Sequence, residues 1–245
     1  MVFEKYAHYY DLLYQDKDYE AECDYLISLV NRFKQQTKKI LEFGSGSGIH
    51  GRILANAGFE VIGIERSQEM IDLGLGSNKV SNKNANFSCF KGDCTNAFIG
   101  NDFDSVISLF HVLSYQTSDD EVLSMLMNAN RQLKQGGIFI LDYWYAPAVW
   151  NISPSIRVKK VKNEELVITR IAEPESNREK NLVKVNYQTF IENLKCHKIS
   201  KIEENHTMRA FTIDLIEFFS KKAGFSLVHS EEWISGNKPS KDTWG

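Results

Sequence analysis

The chain reads as an α/β fold: a doubly wound, mostly parallel sheet with an antiparallel β insertion after its fifth strand. Three observations predict it. Between residues 37 and 145, short and nearly continuous apolar runs alternate with amphipathic helical stretches, the pattern of a parallel sheet covered on both faces. The first apolar run ends in a glycine-rich turn, LEFGSGSGIHG at 41–51. After Trp150 the apolar period falls from that of a helix to that of a strand with one wet face. The 245 residues suffice for one α/β domain and an insertion.

The elements follow in order. Residues 1–35 read as helix, with Tyr6, Tyr9, Tyr10 and Leu13, then Tyr25, Leu26, Leu29, Val30 and Phe33, at i+3 and i+4 spacing. KKILEF (38–43) is a buried strand. Ile49 to Asn56 is a helix closed by Gly58, and FEVIGIE (59–65) is the second strand. Ser67 caps a helix through Met70 and Leu73. NFSCFKGD (86–93) and FDSVISLF (103–110) are the third and fourth strands. Ser118 and Glu121 form a capping box for a helix burying Val122, Leu123, Leu126, Ala129 and Leu133, stopped by Gly136–Gly137. GIFILDYW (137–144) is the fifth strand. Residues 151–209 read as a meander of three or four strands, with turns at Lys162–Asn163 and Pro174–Asn177. FTIDLIEFFSKKAGF returns to helix, and FSLVHSEEW reads as a last strand.

Bulk properties narrow the function. Net charge is −3 and 25% of residues are charged; the densest basic patch, Arg157 to Lys162, lies in a strand-like stretch, which points away from nucleic acid. No apolar run approaches the ~20 residues of a membrane span, and the opening MVFEKYAHYYDLLYQ does not read as a signal peptide. The four cysteines form no C-x-x-C pair, so free thiols in a cytoplasmic protein and no bound metal are expected.

GSGIHG (46–51) fits the dinucleotide fingerprint G-x-G-x-x-G. Two details oppose a dinucleotide. The fingerprint's first glycine should follow the strand directly, but the glycine after ILEF is Gly44, and from there the third position is Ile49. In addition, Glu42 places an acid at the strand end. It would repel a pyrophosphate and suits a cationic ligand. An oxidoreductase would also call for a Tyr-x-x-x-Lys pair on a later helix, and none is evident.

Counted from the strand end, the motif is Glu42-x-Gly44-x-Gly46-x-Gly48, with Glu65 closing the next strand. With GIERSQEM, KGDC, FDSVISLFHVLSY and LKQGGIFILDYW in the same order, residues 37–145 resemble the class I S-adenosylmethionine (SAM) methyltransferases, a Rossmann-like fold. The resemblance implies SAM as cofactor, near Glu42, Gly44, Gly46 and Gly48. It implies Glu65 on the ribose hydroxyls, Arg66 and Met70 beside adenine, Asp93 and Cys94 at the adenine edge, and Leu109 at the end of the fourth strand. The physics is compatible: SAM carries no phosphate, needs glycines where backbone passes close, and offers a diol to a carboxylate.

The flanks narrow the resemblance to N-methyltransferases of nucleotide-linked amino sugars and relatives acting on glycine. YAHYYDLLYQDKDY resembles their N-terminal helix, which implies that Tyr10, Tyr14 and Tyr19 line the site. LDYWYAPAVW places Tyr143, Trp144 and Tyr145 at the acceptor, where aromatic faces suit sugars and bases. ENHTMRAFTIDLIEFFSKKAGF and the β insertion also resemble the sugar enzymes. His206 is the preferred base, with Tyr14 and His111 as further catalytic candidates; His50 is expected to touch cofactor or solvent. The expected activity is methyl transfer to the amine of a nucleotide-linked amino sugar, with sugar O-methylation or amino-acid N-methylation as the alternative. A homodimer is expected. The organisation reads as a helical lid (1–36), a SAM-binding core (37–150), the β insertion (151–209) and a helix and strand completing the core (210–245). At SKDTWG, relatives of this kind usually continue into a final antiparallel strand beside FSLVHSEEW.

Overall fold

A computed structural model gives the fold and describes residues 7–76 and 86–244; Tyr6 lies outside them. In chain order the elements are α1 (Ala7–Leu13), α2 (Tyr19–Phe33), β1 (Lys39–Phe43), α3 (Ile49–Asn56), β2 (Glu60–Glu65), α4 (Gln68–Gly76), β3 (Phe87–Lys91) and β4 (Phe103–Ser108). A 3₁₀ turn (Val112–Tyr115), α5 (Asp119–Gln132), β5 (Leu133–Leu141) and α6 (Ala146–Ile152) follow. The insertion is β6 (Arg157–Lys162), β7 (Leu166–Asn177), β8 (Leu182–Asn193) and β9 (Lys198–Arg209), and α7 (Ile213–Lys222) closes the described elements.

The first sheet is parallel throughout, in the order β3-β2-β1-β4-β5. Its strands are apolar on both faces because both are covered. Leu41, Phe43 and Val106 join Val122, Met125 and Leu126 of α5 and Ile216 and Phe219 of α7 in one core. Ile40, Val61 and Ile107, pointing the other way, join Leu26 of α2 and Leu54 of α3 in a second. The order reverses between β1 and β4, so a crevice opens beyond their carboxyl ends. The second sheet is a meander, β6-β7-β8-β9, antiparallel at each step. Its inner face packs on α1 through Ile168, Ile191 and Leu13, and on α6 through Val183, Val185 and Val149.

The structure corrects four local expectations. The N-terminal helix is two helices, because Asp18 caps a new start by accepting from the Ala21 amide at 2.9 Å. Gly136–Gly137 does not stop α5. The helix ends at Gln132, β5 begins at Leu133, and the glycines sit within the strand where its register with β4 shifts, as glycine in a strand often marks a bulge. Pro174–Asn177 is not a turn but the end of β7, paired to Leu182–Val185. Pro174 is tolerated there because β6 reaches only to Ala172, leaving that side of β7 as an edge. Finally, FSLVHSEEW is not a strand: β5 is the last strand of its sheet, and residues 225–233 are irregular. Side chains hold this segment, with Glu231 accepting from the Tyr25 hydroxyl at 2.6 Å and Trp233 packed edge-on against Tyr25. A groove of about 600 Å³ separates it from β5.

Candidate active site

A cleft of about 620 Å³ runs from the carboxyl ends of β1, β2 and β3 to the inner face of the antiparallel sheet. Its floor at one end is the glycine turn. Gly44, Gly46 and Gly48 all have positive φ (67°, 57° and 73°), a conformation that side chains disfavour. The turn's N–H groups are turned inward. Gly44 and Ser45 both donate to the Ile64 carbonyl, at 2.8 and 3.1 Å, and Gly48 donates to Ser45. Gly46 donates to Glu65 Oε2 at 2.9 Å. A phosphate cradle needs such groups aimed at the ligand, so the literal G-x-G-x-x-G match carries no such cradle here. Gly48 is the N-cap of α3, set back from the cleft wall.

Three carboxylates stand at successive strand ends. Glu42 is 2% exposed. Burial, then the nearby Glu65 carboxylate, pushes its carboxyl up to about 8. Its Oε2 finds no hydrogen-bond partner among the described residues. An orphaned buried carboxyl facing a cleft fits a ligand bearing positive charge. Glu65 accepts from Gly46 N and from Ser67 N at 2.8 Å; burial raises its carboxyl and these bonds oppose the rise. Each oxygen keeps a second acceptor site, enough for a diol. Asp93 is fixed by the Thr95 amide and hydroxyl at 2.9 and 2.7 Å, with Arg66 at 3.9 Å. Arg66, Met70, Cys94 and Leu109 complete this end of the cleft. The donor set therefore fits a phosphate-free cation such as SAM.

The N-terminal helices close one side. Tyr10 and Tyr14 pack at 4.7 Å between centroids, and Tyr14 meets Phe110 edge-on. Tyr19 lies against His50, and burial raises its phenol. His50 lines the cleft and is tied to Glu22 at 2.7 Å, itself paired with Lys17 at 3.0 Å.

Beyond β4 the backbone is unusual. Phe110 and His111 both have positive φ (62° and 64°), and bulky residues rarely do. The cause is Asp142, at the end of β5: its carboxylate accepts from Phe110 N at 3.0 Å and His111 N at 2.7 Å. Two consecutive left-handed residues make a small anion-binding concavity, here filled by a side chain. His111 Nδ1 lies 3.5 Å from the same carboxylate, and the ring lines the cleft.

The aromatic triplet after β5 is split. Trp144 lines the cleft, whereas Tyr143 and Tyr145 line the separate groove beside β5. Extended backbone sends neighbours to opposite sides, so all three could not share a pocket. The far wall is the inner face of the insertion, and three of its residues, Arg170, Tyr187 and Glu204, went unanticipated, as did Tyr115 of the 3₁₀ turn on the facing wall. Arg170 donates to the Tyr14 hydroxyl at 3.1 Å and lies over the Tyr187 ring. Tyr115 shares a 2.8 Å hydrogen bond with His206 Nδ1, and Glu204 lies 3.1 Å from His206 Nε2. One signal could have found two of them: Arg170 and Glu204, like the expected His206, have the strand parity of the buried Ile168 and Met208, polar residues where apolar ones are expected. Among the described residues no group of His, Cys, Asp or Glu could hold a metal ion, and no helix is long and apolar enough to cross a membrane.

Known proteins agree with this geometry. Residues 40–137 match the methyltransferase domain family. The chain is 25% identical, over 90% of its length and 84% of the relative's, to dTDP-3-amino-3,6-dideoxy-α-D-glucopyranose N,N-dimethyltransferase of Streptomyces fradiae. Its fold is similar to the sugar N-methyltransferase KedS8 of Streptoalloteichus, with a TM-score of 0.79 at 18% identity over 94% of this chain and 88% of that one. It is also similar to the amino pentose methyltransferase CalS10 of Micromonospora echinaspora, solved with SAM bound, with a TM-score of 0.76 at 18% identity over 97% and 95%. Residues 40–137 thus carry a methyltransferase domain, and with its acid-lined cleft at the switch point the chain resembles the SAM-dependent N-methyltransferases of nucleotide-linked amino sugars.

Proposed function

We propose that the protein transfers methyl groups from SAM to the amine of a nucleotide-linked amino sugar. One observation carries this reading: the cofactor end of the cleft opens without a break onto Trp144, Tyr187, Arg170 and His206. Aromatic faces suit a sugar or base, and a guanidinium suits the phosphates of an activated sugar. The names of the relatives support the same acceptor class. SAM, when bound, supplies an electrophilic methyl on a sulfonium. The protein's part is alignment: Glu65 holds the ribose, Glu42 faces the positive charge, and Asp93 with Arg66, Met70, Cys94 and Leu109 frames the adenine. Tyr10, Tyr14 and Tyr19 cover the cofactor, with Tyr14 and His111 beside the reacting amine. His206 takes the proton the amine gives up.

On this reading residues 1–36 act as a lid, 37–150 as the cofactor core and 151–209 as the acceptor wall. A cytoplasmic homodimer is part of the same proposal, checked by ultracentrifugation. The central test is a mass-spectrometric screen of amino, hydroxy and amino-acid acceptors with SAM. A gain of two methyl masses on dTDP-3-amino-3,6-dideoxyglucose is the expected result. Methylation confined to hydroxyl acceptors or to free amino acids would replace it with the corresponding alternative. For the cofactor end, Glu65→Ala should weaken SAM by roughly 1.5–3 kcal/mol, as when a charge-assisted bond is lost. Calorimetry showing unchanged affinity would remove Glu65 from the ribose.

A further inference from the structure

We infer that Tyr115, His206 and Glu204 form a proton relay in which Tyr115 is the residue touching the acceptor and Glu204 is a positioning residue. This rests on the amine-acceptor reading above and extends it by assigning roles to Tyr115 and Glu204.

The placement is specific. Glu204 and His206 are two residues apart on β9, so both point inward from one face. Tyr115 ends the 3₁₀ turn after β4, on the opposite wall. The His206 ring is buried and meets both walls: Nδ1 lies 2.8 Å from the Tyr115 hydroxyl and Nε2 lies 3.1 Å from Glu204 Oε2. Tyr187 of β8 packs edge-on against the same ring at 4.9 Å, and Arg170 of β7 lies over Tyr187 at 5.0 Å. Among the described residues, these titratable and charged groups face His206 from its neighbouring elements.

The chemistry of the partners sets the tautomer. An ionised carboxylate only accepts hydrogen bonds, so the Nε2 beside Glu204 carries the proton. Nδ1 is then bare and accepts from the Tyr115 hydroxyl. Both Tyr115 and His206 line the cleft, but Nδ1 is already engaged by the phenol. A proton leaving the acceptor therefore reaches His206 through Tyr115. The acceptor N–H bond breaks as a bond forms to the Tyr115 oxygen. The phenol's own O–H breaks as its proton passes to Nδ1. The result is a neutral amine, an intact phenol and an imidazolium facing the Glu204 carboxylate; no electron is transferred. Glu204 thus fixes ring orientation and tautomer and stabilises the cation, the division of labour known for buried carboxylate–histidine pairs.

Two measurements test the relay. The first is a long-range ¹H–¹⁵N spectrum of the unliganded, ¹⁵N-labelled protein near neutral pH, with His206 assigned by substitution. It should show the neutral tautomer with the proton on Nε2, and Glu204→Gln should populate both tautomers. The second is steady-state methylation of dTDP-3-amino-3,6-dideoxyglucose. Tyr115→Phe and His206→Gln should each lower kcat about 10- to 100-fold, with KM for SAM within twofold. The double variant should be no slower than the slower single one, since the residues act as a unit. Unchanged calorimetric SAM affinity in the variants shows that they fold. A proton resident on Nδ1 in the wild type, or Tyr115→Phe retaining more than half of kcat, overturns the relay. If the wild type methylates none of the amines, the acceptor reading fails, and the tautomer measurement still decides the relay geometry.

Discussion

The two halves of the cleft are built by opposite means. The half we assign to the cofactor is made at the ends of parallel strands, where Glu42 and Glu65 lie in the last residues of β1 and β2, Asp93 follows β3, and the glycine turn presents backbone. The half we assign to the acceptor is made in the middle of antiparallel strands, where Arg170, Tyr187, Glu204 and His206 replace apolar side chains on an inward face. A strand-end site depends on chain geometry and tolerates little change in the backbone. A mid-strand site depends on side chains held by a ladder that forms regardless of their identity.

The largest expected effect would break the cofactor half alone. Gly44→Val places a branched side chain at φ 67°, with its Cβ 2.4 Å from Val112 Cγ2. It should cost at least about 3 kcal/mol of stability and abolish SAM binding by calorimetry. The antiparallel sheet should keep its amide protection in hydrogen exchange; loss of protection there would show that the two halves fold as one unit. Asp142→Ala probes the seam between them. It leaves two half-buried N–H groups without a charged acceptor and two strained residues without their support, so thermal unfolding should report a loss of about 2–4 kcal/mol. A loss below 1 kcal/mol would mean that the turn does not need the clamp.

The smallest effect sharpens the electrostatics of the cofactor half. Burial raises Glu42 to about 8, from 4.5 as the reference carboxyl. Between these values the folded state holds a proton that the unfolded state has lost. Unfolding then releases a proton, so stability falls as pH rises, by at most about 1.4 kcal/mol per unit from this group. Glu65 is raised as well and adds to the slope. Glu42→Gln should flatten the dependence between about pH 5 and 8 in denaturant titrations. An unchanged slope would assign it to other groups.

The same contrast explains what the sequence made legible. The placement of Glu42, Gly44, Gly46, Glu65 and Asp93 at the cleft could be read because strand ends are legible from where apolar runs stop, and spacing between successive ends is constrained by the crossover helices. The insertion's strands were readable from alternation, but alternation says only which residues share a face. It does not distinguish a polar inward position that binds from one that merely hydrogen-bonds, so Arg170 and Glu204 passed unnoticed although His206 was singled out. Tyr143 and Tyr145 were misplaced because an aromatic cluster was read as one surface, whereas the chain there is extended and divides it. FSLVHSEEW has the composition of a strand, yet a strand needs a ladder partner, and β5 does not pair with it. Pro174 reads as a turn until the shortness of β6 is known.

The carboxylate clamp on Phe110 and His111 has a consequence for how acceptor scope could change. Asp142 grips main-chain N–H groups, which every residue but proline carries, so the clamp itself is indifferent to the side chains at positions 110 and 111, and the positive φ disfavours mainly β-branched ones there. Those side chains face the cleft. The turn therefore works as a socket: the fitting is held by Asp142 from behind, and its front face is exchangeable. Libraries varied at 110 and 111 with Asp142 retained should explore new acceptors while the scaffold around them stays in place.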